Sequence, residues 1–113
     1  MIVGFNITQF DLPFLIARSF INNVPVVPFT LKYVLDLREK INAYRSGHSR
    51  GTLKDFGRAM GLKDLGMDGS AIAGLCRNKE YETIKRYLMH DLLITDEMFK
   101  RMKDLKITEI ERY

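Results

Sequence analysis

A single cysteine, Cys76, stands among the 113 residues, so no internal disulfide can staple the chain. With no metal-ligand spacing around it, its thiol is expected to be buried or half-buried. No apolar run approaches the roughly 20 residues that span a bilayer. Nor does a basic start with an apolar stretch and a small-residue cleavage site mark export, so an intracellular, cytoplasmic setting is the expectation. No repeat and no low-complexity segment interrupts the chain. The two histidines, His48 in a Gly/Ser loop and His90, have no third ligand at useful spacing, and no zinc site is expected.

What is present reads as a globular chain: 46% of residues are apolar and 28% charged, well outside the composition of disordered segments. At this length the chain is one domain at most, large enough for a core. Six methionines, five of them from Met60 onward, are expected to pack helices.

The net charge of +4 is unevenly placed. Residues 1–37 balance at two basic and two acidic; residues 38–63 carry seven basic and two acidic; residues 64–113 carry nine basic and ten acidic. Arg38, Lys40, Arg45, Arg50, Lys54, Arg58 and Lys63 thus form a basic block. Such a block can bind phosphates by releasing a polyanion's counterions, or it can be a solvated helical face.

Ile2-Val3-Gly4-Phe5 predicts a short buried strand that breaks at Asn6. Apolar residues at helical spacing predict a helix over 10–22, with Pro13 tolerated in its first turn and Asn22-Asn23 ending it. Tyr33 to Leu37 reads as a second strand, parallel to the first across that helix. Beyond it the pattern is helical: one or two turns over 38–44, a loop over 46–51, a helix capped by Thr52 and ended by Gly61, and a shorter helix over 70–75 after the Asp68-Gly69 turn. The longest helix runs over about 80–103, with Ile84, Leu88, Leu92, Met98 and Met102 as its apolar stripe. Residues 108–113 add a final turn or fray. The fold class is α/β, a short parallel strand pair followed by mostly helices. Its three parts are 1–37, strand-helix-strand; 38–78, a basic helical connector; and 79–113, the C-terminal helix.

Two acidic positions stand out. Asp11 follows a strand and loop and opens a helix, which places its carboxylate near the end of a sheet, where sites on open α/β sheets collect; it is equally a first-turn acid favoured by the helix dipole. Tyr87 and Asp91 are four apart, so on a helix they emerge on one face. Asp91 could hold a cation while the Tyr87 hydroxyl orients a water; the pair is equally a half-buried tyrosine beside a surface acid. Asn6 and Gln9 suit turn chemistry or hydrogen bonds to a nucleotide.

In combination these pieces resemble a known family. Val3-Gly4-Phe5-Asn6 with Phe10-Asp11-Leu12-Pro13-Phe14-Leu15 and Arg18 is similar to the second motif of metal-dependent 3′ to 5′ exonucleases. Leu53-Lys54-Asp55-Phe56 through Met60-Gly61-Leu62, then Met67-Asp68-Gly69-Ser70, resembles the connecting region of exonucleases related to the proofreading domain of family-B DNA polymerases. Tyr87-Leu88-Met89-His90-Asp91 with Thr95 matches the third motif of this DEDDy-type, tyrosine-containing class. The similarity spans about residues 1–103, in the family's order.

The resemblance implies a ribonuclease-H-like fold, of which the chain would be the C-terminal portion, and removal of nucleotides from a single-stranded 3′ end, DNA more than RNA, with Mg²⁺ or Mn²⁺. Asp11 and Asp91 become metal-linked carboxylates and Tyr87 the water-orienting hydroxyl, so that these three are the catalytic candidates. Asn6, Arg50, Lys54, Arg58 and Lys63 are the candidates for contact with nucleic acid. The family's Asp-x-Glu strand would precede Met1, so two of four carboxylates are missing and the chain alone is expected to bind metal weakly and to be inactive. The sheet would then expose an edge and an apolar face. A homodimer, a swapped strand or a separately encoded front half would cover it.

Other readings are a catalytically dead relative that keeps a nucleic-acid-binding or scaffolding role, and a helix-turn-helix DNA-binding protein. The second would use Thr52–Gly61 and Ser70–Cys76, although Ser70, Ala71, Ile72 and Ala73 are not base-reading residues and the turn is long. A small helical interaction domain with no nucleic-acid role is the fourth.

Overall fold

Strand β1 (Ile2–Gly4) lies parallel to β2 (Val34–Asp36), with Ile2 opposite Val34, Val3 opposite Leu35 and Gly4 opposite Asp36. The computed structural model describes residues 1–45, 51–63 and 69–113. Between the strands, residues 7–11 form a wide helical turn in which the Leu12 N–H donates to the Ile7 carbonyl, five residues back. Helix α1 (Leu12–Ile21) follows directly, with Pro13 in its first turn, where no intrahelical N–H is needed. The strand-helix-parallel strand order of the sequence is therefore present, and the fold is α/β with helices dominating.

Helix α2 (Leu37–Ile41) starts immediately after β2. The second strand is thus shorter than Tyr33–Leu37: Asp36 ends it by capping the helix, its carboxylate accepting from the Arg38 N–H at 3.0 Å. Of the two outcomes expected for the tail, a last short turn forms, Ile107–Glu109, and the Lys40 ammonium donates to the Ile110 carbonyl beyond it.

Helix α3 (Leu53–Ala59) begins in a reciprocal cap: the Thr52 hydroxyl accepts from the Asp55 N–H at 3.2 Å, and the Asp55 carboxylate accepts from the Thr52 N–H at 2.9 Å. It stops before Gly61, which takes a left-handed φ of 80° that a side chain would resist. After a tight turn at 69–71 comes α4 (Ile72–Arg77), and then α5 (Tyr81–Asp104), 24 residues long. Cys76, expected inside, is exposed: it falls in the last turn of α4, on the side turned to solvent.

The chain divides into two compact units, Met1–Arg50 with Met102–Tyr113, and Gly51–Arg101. In the first, Leu37 is fully buried, worth about 1.5–3 kcal/mol. Most apolar side chains of α1 instead face solvent: Phe14, Leu15, Ile16, Phe20 and Ile21 are all exposed, and Phe14 stacks on Phe10 at 6.0 Å. In the second unit, Gly57 of α3 is buried against Ile94 of α5, and a Cβ there would lie 3.3 Å from two Ile94 carbons.

The inward stripe of α5 differs from the expected one. Tyr87, Ile94, Met98 and Met102 are buried, while Leu88 and Leu92 are exposed. Steps of four residues drift about 40° around a helix, so 88 and 92 rotate progressively off the inner face on which Ile84 lies. Mixed steps of three and four, from Ile84 through Tyr87, Asp91, Ile94, Met98 and Met102, stay on it. No helix among the described residues is long and apolar enough to cross a membrane.

Candidate functional site

The first unit places its polar chemistry at the C-terminal ends of the two strands. Asp36 is 2% exposed and its carboxylate gathers four donors. Oδ1 accepts from the N–H groups of Asn6 (2.8 Å) and Arg38 (3.0 Å); Oδ2 accepts from the Thr8 N–H (3.0 Å) and hydroxyl (2.8 Å). A buried carboxylate needs such donors to offset its lost hydration. They also fix the backbone that leads to Asp11. Asn6 takes a left-handed φ of 61°, and a Cβ at Gly4 would overlap Ile7 Cγ2, so a larger residue there would force the Ile7 side chain to shift.

The Thr8 hydroxyl lies 2.6 Å from Glu39 Oε1 as well, so one proton serves two carboxylates alternately. Asp36 and Glu39 were not among the sequence candidates. The signal that could have found them is Asp-x-x-Glu between a β-branched run and a helical segment, a variant of the capping pattern.

Asp11 is exposed and stands at the N-terminal boundary of α1, and its side chain makes no cap hydrogen bond. It therefore opens the helix, as its sequence context predicts. Asn6 contributes its backbone to the Asp36 cluster, while its side-chain Oδ1 is buried without a hydrogen-bond partner among the described residues.

In the second unit, Tyr87 and Asp91 lie one turn apart on α5. Tyr87 is 8% exposed and Asp91 half-buried. The Lys54 ammonium, from the first turn of α3, stands 5.6 Å from the Tyr87 ring centroid. Burial pushes the Asp91 carboxyl above its ordinary range, against the opposing pull of the His90 and Lys54 charges. His90 Nε2 is buried without a partner among the described residues, and the Thr95 hydroxyl donates to the Asp91 carbonyl at 2.8 Å.

The remaining basic candidates are dispersed in role. Arg58 is exposed and pairs with Asp55 at 3.5 Å, Lys63 is exposed, and Lys40 is engaged with Ile110 and lies 5.4 Å from the Tyr44 ring centroid. Arg50 and His48, with Met67 and Asp68 of the connecting region, lie outside the described residues.

Mg²⁺ and Mn²⁺ take several hard oxygen ligands, and a two-metal site needs carboxylates converging on ions roughly 4 Å apart. Among the described residues no group of three or more His, Cys, Asp or Glu could hold a metal ion. Asp11 belongs to one unit and Asp91 to the other. The described residues of neither unit supply the ligands such a centre requires. Comparison with protein-family models, curated proteins and solved structures gives no match.

Proposed function

We propose that this chain is the part of a 3′ to 5′ exonuclease domain that carries the second and third acidic motifs, with the ribonuclease-H-like fold that family implies. No Asp-x-Glu occurs anywhere in the 113 residues. In this reading the two further carboxylates come from polypeptide outside them, from a partner or a second copy, and the chain alone does not turn over substrate. The observation that supports the reading best is the Tyr87–Asp91 pair. A tyrosine and a half-buried carboxylate, one turn apart on one helix, sit beside a lysine that can neutralise phosphate.

The chain's own residues would then divide the work. Lys54, Arg58 and Lys63 draw a single-stranded end by phosphate contact, with Asn6 and Arg50 as the other candidates from the motifs. Tyr87 orients the attacking water through its hydroxyl, and Asp11 and Asp91 supply two of the carboxylates that a cation would need.

The test has two arms. Anisotropy of a labelled single-stranded oligonucleotide should report binding that weakens steeply with salt and is reduced by Lys54→Ala and Lys63→Ala. Spin labels at positions 11 and 91, with Cys76→Ser, should give a short, narrow distance distribution. Salt-independent or absent binding, or labels held far apart, would end the nuclease reading.

A further inference from the structure

Helix α5 turns a second apolar face outward. Opposite the buried line of Tyr87, Ile94 and Met98, the side chains of Leu88, Met89, Leu92 and Leu93 are each about half exposed, at 49–57%. Four large apolar side chains on two adjacent turns exceed the scattered exposure normal for a soluble surface. Lys85 precedes this patch and Asp96 follows it, both exposed and on the same side of the helix.

The order of these residues is a palindrome. Lys85 with Asp96, Leu88 with Leu93, and Met89 with Leu92 are three pairs that share one midpoint, between residues 90 and 91. Two copies of α5 laid antiparallel across a two-fold axis at that midpoint bring leucine to leucine and methionine to leucine at the centre, and lysine to aspartate at each end. The same axis sets Tyr81 of one copy opposite Lys100 of the other, aromatic ring to cation. Parallel pairing would instead put Lys85 beside Lys85 and Asp96 beside Asp96. Charge thus selects the antiparallel arrangement.

We propose that the outer face of α5 is a self-complementary docking surface whose occupant is the same face of a second copy of this chain. An isologous two-fold contact uses one patch twice, which is what a palindromic order of apolar and opposite-charge residues supplies. At 24 residues the helix is about 36 Å long. One helix pair over that length lies at the small end of specific interfaces, so the dimer is concentration-dependent. The Asp96–Lys100 pair at 2.9 Å within each copy leaves Asp96 able to accept from a second cation. Among the described residues Lys85 has no ion-pair partner within its own chain. The pairing does not depend on the nuclease reading and survives its failure.

Sedimentation equilibrium of the full chain, in reductant because Cys76 is exposed, should show a mass rising with concentration from 13.1 kDa to twice that value. Leu92→Asp should hold it at the monomer mass with unchanged helical circular dichroism. Lys85→Glu and Asp96→Lys should each weaken association roughly tenfold, since the two-fold axis makes every substitution count twice. An equimolar mixture of those two variants should associate as tightly as the parent, because each copy then meets opposite charge at both ends. A chain that stays monomeric at every concentration overturns the proposal. So does a dimer indifferent to Leu92→Asp, or a mixture no tighter than its separate components. Capture of an unrelated amphipathic helix by a chain that does not self-associate overturns it as well.

Discussion

Lys54 and Tyr87 meet through a cation and a ring face, the ammonium 5.6 Å from the ring centroid, and this links the first turn of α3 to the inner face of α5. A contact of that kind at a partly exposed site contributes about 0.5–1 kcal/mol. Lys54→Met should therefore lower unfolding free energy by that amount, and by the same amount in a Tyr87→Phe background, which keeps the ring. In a Tyr87→Leu background the effect of Lys54→Met should shrink toward zero. A urea double-mutant cycle reads the coupling; a cycle without coupling would remove the contact from the account of stability.

Asp36→Ala should be among the most damaging single substitutions. It strips a buried acceptor from four donors and leaves the N–H groups of Asn6, Thr8 and Arg38 without their partner, a loss of about 3 kcal/mol or more. Asp36→Asn keeps the shape and part of the accepting capacity, so its cost should be clearly smaller. Equal costs measured by denaturant unfolding would mean that the one oxygen Asn retains contributes nothing on its own.

Gly57 sets a second balance. In a helix interior, Gly→Ala alone stabilises by about 1 kcal/mol. Here the new methyl would stand 3.3 Å from Ile94 Cδ1 and Cγ2, and the branched Cγ2 cannot swing away on its own. Gly57→Ala should come out near neutral, and Gly57→Ala with Ile94→Val more stable than Ile94→Val alone. Gly57→Leu should cost about 2 kcal/mol through overpacking. Thermal unfolding of the four variants decides it.

For Asp91, burial raises the carboxyl above its ordinary value of 3.8, in spite of the His90 and Lys54 charges. The folded state holds that proton more tightly than the unfolded chain. The associated stability is complete below the unfolded value and lost as pH rises through the folded one. Asp91→Asn should accordingly melt higher than the parent at neutral pH, with the gap closing as pH falls through the raised folded value and closed below 3.8. A gap that widens on acidification would contradict burial as the cause.

Local signals carried much of the fold into the sequence. Ile2-Val3 and Val34-Leu35 read as strands from their β-branched and apolar residues, Pro13 marked the first turn of α1, and Thr52 with Asp55 three residues on marked the cap of α3. Less legible was whatever depends on distant partners. Asp36 looks like one more strand residue until its donors, 28 and 30 positions earlier, arrive beside it. The outer face of α5 was likewise folded into its inner stripe, because Leu88 and Leu92 satisfy a four-residue spacing while drifting round the helix. At the candidate site, the helical neighbours Tyr87 and Asp91 followed from their spacing. The burial of Tyr87 and the approach of Lys54 did not, since both require α3 to pack on α5.

The two-stranded ladder has only three rungs, and its ends are unlike. At one end Ile2 is exposed; at the other, next to Gly4 and Asp36, a carboxylate clasps the backbone of residues 6 and 8. Loosening by heat or tension should consequently travel from Met1 inward, like a zipper with its stop sewn at the far side. The stretch just ahead of Asp11 would then be the final part of that ladder to let go, with the amide protons of Asn6 and Thr8 exchanging long after those of the first residues.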